Sequence, residues 1–274
     1  MGHNDESTFM NASAWMPTEK GTHEGHLSEA WTQGRAIYGG MLMAGSVRAL
    51  QSRVPDKRSL RSIMSTFVAP VKPGTFECHT SVLRSGSSFT HGEARIIQDE
   101  TLCVVVAAGF GADRPPGLVL PAAGPPKVPP PEAFVRLPVI EGVTPPFIRH
   151  FEVALDPDFI PYSGSSRPGM RCWLRDVDQS EPWSAMKWLA MMDAPPPPVW
   201  AMLSGPANGS TIHFQASILH PEPRSLPGSQ WVLFDATVNA SDGVYCDYQY
   251  GLWSEDGVPL AIGKQVFADF SGGR

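Results

Sequence analysis

Two kinds of hydrophobic pattern alternate along this chain, and they follow the same order in its two halves. In the first half, an apolar run without proline predicts a helix at 41–54. A strand region at 13–31 comes before that helix. Alternating and β-branched residues predict strands after it at 60–71, 75–98 and 101–111.

The second half repeats this order of elements. A strand region at 147–176 precedes a helix that is predicted to start near Ser180-Glu181-Pro182 and to end at residue 193, before a run of prolines. Strand-like runs follow at 210–219, 231–254 and 259–270. A helix followed by antiparallel strands is an α+β arrangement, with the helix packed on one face of the sheet. The repeated order therefore indicates an internal duplication.

The two halves align on a strand–turn–strand segment, with 84–101 set against 240–257. After a one-residue insertion at Pro259, Ala108 of the first half aligns with Gln265 of the second. Identity between the halves is low, so the order of elements supports the duplication more strongly than the residues do.

Proline marks the boundary between the halves. The chain contains 28 prolines, and they are dense in 114–146. Proline lacks a backbone donor and disfavours helix, so this stretch is predicted to be an extended linker. We therefore predict an N-terminal domain at 1–112, a Pro-rich linker at 113–146 and a C-terminal domain at 147–274.

Charge and composition exclude several classes of function. The net charge is -6, which argues against nucleic acid or an anionic membrane surface as a partner. No stretch is long and apolar enough to span a bilayer, and residues 1–8 lack the layout of a signal peptide. The four cysteines are scattered, and the histidines show no metal-ligand spacing, so we expect buried thiols, no metal and a cytoplasmic protein.

Three segments resemble the acyl-CoA thioesterase II (TesB-type) family. They are Tyr38-Gly39-Gly40 before the first helix, the strand pair at 83–98, and Met192-Asp193-Ala194-Pro195 with the later strands at 210–214 and 256–265. The resemblance covers nearly the whole chain. It implies a double hotdog, in which two antiparallel sheets each wrap around a long central helix. It also implies an acyl-CoA substrate and a hydrolysis that needs no cofactor, and it leaves open a homodimer.

Two polar residues are the leading catalytic candidates. Asp193 ends the apolar helix of the second half, where the helix dipole disfavours a carboxylate, and it matches the Asp that closes this helix in the family. Gln265 interrupts an apolar strand in which alternation places Ala261, Gly263 and Gln265 on one face. An aspartate can accept a proton from water, and an amide can orient water. Because the first half has Ala108 at this position, we expect one active site rather than two.

The third family position departs from the pattern. The family places a Thr before a strand that reads D-x-T-V-H-F, but this chain has Ala207 at that Thr and Gly209 at the Asp. Thr211 or Asn208 could supply a hydroxyl or amide instead, or Asp193 and Gln265 could hold the water alone.

Backbone amides and basic residues complete the predicted site. The amides of Gly39, Gly40 and Met41 open the first helix, where unpaired N–H groups suit a thioester oxyanion. The strongly basic window at 48–72 includes Arg58 and Arg61, which could bind the phosphates of CoA.

Two other functions fit parts of the sequence. A non-catalytic acyl-CoA-binding protein is consistent with Ala207 in place of the family Thr. Hydration of enoyl-CoA is a weaker alternative, because that chemistry pairs an Asp with a His a few residues later. Here Asp193 is followed by Ala194 and prolines, and the next histidine is His213.

Overall fold

The computed structural model describes residues 8–219 and 226–270. The helices of this part of the chain are α1 (Phe9–Ala12), α2 (Gly39–Gln51) and α3 (Ala185–Asp193). Its strands up to the end of the first half are β1 (Met16–Pro17), β2 (His23–Leu27), β3 (Thr32–Gln33), β4 (Ala36–Ile37), β5 (Arg58–Phe67), β6 (Gly74–Ser85), β7 (Phe89–Gln98) and β8 (Thr101–Ala112). The later strands are β9 (Val135–Arg136), β10 (Phe151–Leu155), β11 (Met170–Asp176), β12 (Gly209–Ile218), β13 (Val232–Ser241), β14 (Tyr245–Ser254) and β15 (Pro259–Asp269).

Thirteen of the described strands form one sheet, in the order β1-β2-β6-β7-β8-β5-β12-β15-β14-β13-β11-β10-β9. Outward from the β5–β12 pair, the order is β5, β8, β7, β6 in the first half and β12, β15, β14, β13 in the second. In each half, the first long strand after the helix is therefore followed by the fourth, the third and the second. The sheet is therefore built from two equivalent halves, as the repeated hydrophobic pattern predicts. The prediction of two separate sheets is wrong, because β5 and β12 pair antiparallel across the halves, from His213 opposite Thr66 to Ser217 opposite Ser62.

Helices α2 and α3 pack against each other and against the sheet, α2 on β6, β7 and β8 and α3 on β14. A Cβ on Gly40 would lie 2.9 Å from the Ala190 Cα, so the two helices approach closely at small residues. The prediction of a long central helix fits α2, which has 13 residues, better than α3, which has nine. Helix α3 starts later than predicted because the side chain of Ser184, rather than Ser180, caps it by accepting from the Lys187 amide.

The predicted strand regions at 13–31 and 147–176 are each only partly strand. Within the first, β2 is the one longer strand that the structure describes, between turns and a short 3₁₀ helix at Glu29–Trp31. Within the second, β10 and β11 are separated by a loop that contains another 3₁₀ helix, Pro157–Phe159.

The Pro-rich segment packs on the second half of the sheet. The indole N–H of Trp253 donates to the Ala123 carbonyl, and that of Trp173 donates to the Pro129 carbonyl, each at 3.2 Å. Phe134 also packs with Trp173 and Trp231 in one apolar cluster. The segment therefore contacts the sheet from Ala123 onward, whereas residues 113–122 are exposed.

The four cysteines are buried and free. Within 8–219 and 226–270, no helix is long and apolar enough to cross a membrane. The same residues contain no group of three or more metal-ligating side chains.

Candidate active site

Asp193 lies where the end of α3 meets the start of α2. Its carboxylate is partly buried and accepts a 2.7 Å hydrogen bond from the side-chain nitrogen of Gln265. It also accepts a hydrogen bond from the Gly40 amide. One polar cluster therefore joins the second-half helix, the last strand and the first turn of the first-half helix.

The position of Asp193 follows from how the two helices end and begin. Helix α3 stops before the prolines at 195–198, and this leaves Asp193 at the negative end of its own helix dipole. The positive end of α2, with the amide of Gly40, faces the carboxylate and offsets that cost. Sequence alone shows only the unfavourable dipole.

Burial raises the pKa of the Asp193 carboxyl to about 7, although the hydrogen bonds from Gln265 and Gly40 lower it. A carboxyl with a pKa near neutrality is well matched to accept and return a proton under physiological conditions.

Gln265 lies in the interior of the sheet. Strand β15 pairs with β12 on one side and β14 on the other, and the Gln265 side chain is 2% exposed. Its strand neighbours Ile262 and Lys264 are exposed, so the predicted alternation is confirmed. The hydroxyl of Tyr248, directly opposite on β14, donates to the Gln265 side-chain oxygen.

The three predicted oxyanion amides have different partners. The Gly40 amide donates to Asp193, and the Met41 amide donates to the Tyr38 carbonyl at 3.2 Å. The Gly39 amide has no acceptor among the described residues. A Cβ on Gly39 would lie 2.8 Å from a carboxylate oxygen of Asp193 and 2.9 Å from the Phe67 ring, so only glycine fits beside the carboxylate.

The departure from the family pattern at Gly209 has a steric explanation. A Cβ on Gly209 would lie 2.1 Å from the Phe267 ring and 2.5 Å from the Ala268 carbonyl oxygen, so a side chain such as Asp is excluded. Thr211 is partly buried and pairs with Phe267, which lies two residues from Gln265 on β15. In the described part of the chain, no hydrogen bond joins the side chain of Thr211 or Asn208 to Asp193.

The structure does not bring Arg58 and Arg61 to this cluster. Arg58 binds the β6–β7 hairpin through the carbonyls of Gly86 and Ser87, and Arg61 pairs with Asp113 at 2.9 Å. The end of β5 near the site is Phe67, and at about 3.3 Å per residue Arg58 lies roughly 30 Å away along the strand.

Two tyrosines and a serine at the site were missed by the sequence interpretation. Tyr38 is fully buried, donates from its hydroxyl to the Ala190 carbonyl and stacks on Phe147 at 4.0 Å. Ser65 and Gln265 lie on either side of Phe214 in the sheet, so their side chains share one face. The second tyrosine is Tyr248, and its place between Asp247 and Gln249 on β14 was the sequence signal that its hydroxyl points inward.

Two family models match most of the chain. Residues 27–111 match the acyl-CoA thioesterase N-terminal domain, and residues 125–268 match the acyl-CoA thioesterase C-terminal domain. No curated protein matches the sequence.

Solved structures of the same fold cover nearly the whole chain. A hot dog fold protein of unknown function from Alicyclobacillus acidocaldarius has a TM-score of 0.85 at 22% identity, over 95% of this chain and 97% of its own. The acyl-CoA thioesterase II TesB2 of Mycobacterium marinum has a TM-score of 0.75 at 14% identity, covering 96% and 98%. The tesB protein of Mycobacterium avium subs paratuberculosis has a TM-score of 0.76 at 16% identity, covering 95% and 98%. At these identities the likeness establishes the hotdog fold.

Proposed function

Because this chain belongs to the acyl-CoA thioesterase family, we propose that it hydrolyses acyl-CoA thioesters to free acids and CoA. The observation that supports a working site most directly is the contact of Asp193 with Gln265 and with the first turn of α2. It provides a proton acceptor, a water-orienting amide and backbone donors within one cluster.

In the proposed reaction, water binds between the Asp193 carboxylate and the second hydrogen of the Gln265 amide nitrogen, whose first hydrogen is bonded to Asp193. The water oxygen attacks the thioester carbonyl carbon while Asp193 takes a proton. The Gly39 amide donates to the oxyanion that forms. When the tetrahedral intermediate collapses, the C–S bond breaks and Asp193 returns the proton to the leaving sulfur.

The identity of a third water ligand is part of this proposal. Thr211 and Asn208 are the two candidates. Thr211→Val and Asn208→Ala, each assayed for kcat, would identify which of them acts. If neither lowers kcat, Asp193 and Gln265 hold the water alone.

The remaining assignments stay predictions. We propose two hotdog units, at 1–112 and 147–274, joined by the linker at 113–146. We propose Arg58 and Arg61 as ligands of the CoA phosphates, which requires the nucleotide to lie far from the scissile bond. We propose a cytoplasmic protein that does not bind nucleic acid, with a homodimer left open.

A panel of acyl-CoAs of increasing chain length, with detection of free thiol, tests the function. We expect thiol release by the wild-type protein and a loss of about a hundredfold or more in Asp193→Ala. Gln249→Ala is the matched control, because Gln249 is exposed on the strand beside Gln265 and should leave turnover unchanged. Full turnover in Asp193→Ala would remove the proposed base.

The non-catalytic alternative predicts a different result in the same experiment. An acyl-CoA would raise the melting temperature of the wild-type protein while no thiol appeared at any chain length. Hydration of enoyl-CoA has less support, because His213 is exposed on the opposite face of β12 from Phe214 and bonds to Thr66 at 3.2 Å.

A further inference from the structure

Tyr248 lies directly opposite Gln265 on the neighbouring strand. The two side chains point to the same face of the sheet, and both are almost fully buried, at 4% and 2% exposure. The Tyr248 hydroxyl donates to the oxygen of the Gln265 amide, while the nitrogen of that amide donates to Asp193. Among the residues that the structure describes, the Tyr248 hydroxyl is therefore hydrogen-bonded to Gln265 and not to Asp193.

A glutamine side chain can present either its oxygen or its nitrogen to a neighbour, and the choice decides what it can do here. With the nitrogen towards Asp193, the amide stabilises the carboxylate and keeps one hydrogen for water. With the oxygen towards Asp193, it repels the carboxylate and has no donor left at that side. A hydroxyl that donates to the amide oxygen on the far side, as Tyr248 does, holds the amide in the first orientation.

We propose that Tyr248 is a positioning residue for the thioesterase reaction, whose hydroxyl holds the Gln265 amide with its nitrogen towards Asp193. The consequence for turnover rests on the proposed function, whereas the orientation of the amide does not. The hydroxyl also polarises the amide, which strengthens the hydrogen bond from its nitrogen to Asp193.

The charge state of the neighbouring groups fits this role. Tyr38, from the start of α2, and Tyr248 and Tyr250, from β14, face Asp193, and burial raises the pKa of each well above its usual value. All three are therefore neutral hydroxyls throughout the range in which Asp193 titrates. Tyr248 remains a donor whether or not Asp193 carries its proton.

Tyr250 provides a matched control on the same strand. It is buried to the same extent as Tyr248, and its ring centroid lies 6.2 Å from that of Tyr248. Its hydroxyl donates to the backbone carbonyl of Gln215 at 3.2 Å and does not contact Gln265. Tyr250→Phe thus removes an equivalent buried hydroxyl without releasing the amide.

The first test is independent of activity. The Asp193 carboxyl is titrated by ¹³C NMR in the wild type, in Tyr248→Phe and in Tyr250→Phe, with Asp193→Asn to assign the signal. Because the bond from Gln265 lowers the Asp193 pKa, Tyr248→Phe should raise it by about half a pH unit or more, and Tyr250→Phe should not. An equal effect in both variants, or an effect in neither, overturns the proposal.

A second measurement uses the unaltered protein and so does not depend on how the variants fold. The Gln265 side-chain amide should show a single orientation by ¹⁵N NMR, with a nitrogen shift that follows the protonation of Asp193. Two exchanging orientations in the wild type would overturn the proposal.

Kinetics then separate this proposal from the function on which its consequence rests. Tyr248→Phe should lower kcat about threefold to tenfold, with little change in KM and with the acidic limb of the pH profile moved to higher pH. Tyr250→Phe should leave that limb in place. If the wild type hydrolyses no acyl-CoA but the NMR titration behaves as expected, the positioning role stands and the proposed function fails.

Discussion

The side-chain nitrogen of Gln265 lies 2.7 Å from a carboxylate oxygen of Asp193, although 72 residues separate them in the chain. The contact links the last strand to the end of α3 at the point where α2 begins. It places a proton acceptor beside an amide donor.

The first prediction concerns pH. Asp193 must be ionised to accept a proton from water, and its pKa is about 7. We therefore expect kcat/KM to rise with pH and to level off above an apparent pKa near 7, measured with one acyl-CoA at constant ionic strength. A profile that is flat from pH 5 to 8 would contradict the role of Asp193 as the base.

The second prediction concerns the glycine beside the carboxylate. In Gly39→Ala the new methyl group would lie 2.8 Å from Asp193 and 2.9 Å from Phe67, so one of them must move. We expect kcat to fall by about tenfold or more, since small displacements of reacting groups are costly. Gly86→Ala is the control, because the nearest atom to its methyl group would be 3.7 Å away. Unchanged kcat in Gly39→Ala would mean that this turn does not form part of the site.

The third prediction concerns stability. The pKa of Asp193 is raised to about 7 in the folded protein, above the value of about 3.9 expected in the unfolded chain. Between these values the folded state holds more protons at this group, so its contribution to the free energy of unfolding is greatest below pH 4 and is lost as pH rises through 7. The size of the pKa shift sets the loss in the free energy of unfolding, and partial exposure of Asp193 to solvent reduces it. We expect this group to account for a loss of about 2 to 4 kcal/mol.

Asp193→Asn should remove most of that pH dependence. Urea unfolding at several pH values between 4 and 8, compared with the wild type, measures the difference. Asp113→Asn, at an exposed carboxylate, is the control and should keep the pH dependence of the wild type. If Asp193→Asn and the wild type lose stability in parallel, the carboxyl titrates in its usual range.

The fourth prediction concerns the contact between the halves. Tyr38→Phe keeps the ring stacked on Phe147 but removes the hydroxyl that donates to the Ala190 carbonyl. We expect a loss of about 1 to 3 kcal/mol in the free energy of unfolding, as is typical when a buried polar partner is removed. Tyr245→Phe, at a ring that is 53% exposed, should have little effect. Equal stability in both variants would show that the Tyr38 hydroxyl does not tie α2 to α3.

Sequence patterns predicted those parts of the molecule that depend on local periodicity. The inward position of Gln265 follows from alternation within one strand. The position of Gly39 to Met41 at the start of α2 follows from the point where the sequence changes from a loop pattern to a helix pattern. The resemblance to the family added the role of Asp193, whose position alone suggested only an unfavourable dipole.

The missed features depend on contacts between distant segments. Nothing local in 58–67 or 209–218 indicates that β5 and β12 pair, and this pairing makes one sheet instead of two. The partnership of Tyr248 with Gln265 requires the register of β14 against β15. The bonds of Arg58 to the β6–β7 hairpin and the pairing of Arg61 with Asp113 were also missed, because sequence gives charge but not the partners that engage each guanidinium.

The β5–β12 pairing also limits how this chain can be divided. A fragment that stops within the Pro-rich segment would leave the long strand β5 with its hydrogen-bonding groups unsatisfied along one side, and the complementary fragment would leave β12 in the same state. Unpaired strand edges of this kind form hydrogen bonds with strands of other chains and so promote aggregation. Separately produced fragments should therefore aggregate alone and become soluble only when mixed, which makes the enzyme a candidate for split-protein reconstitution.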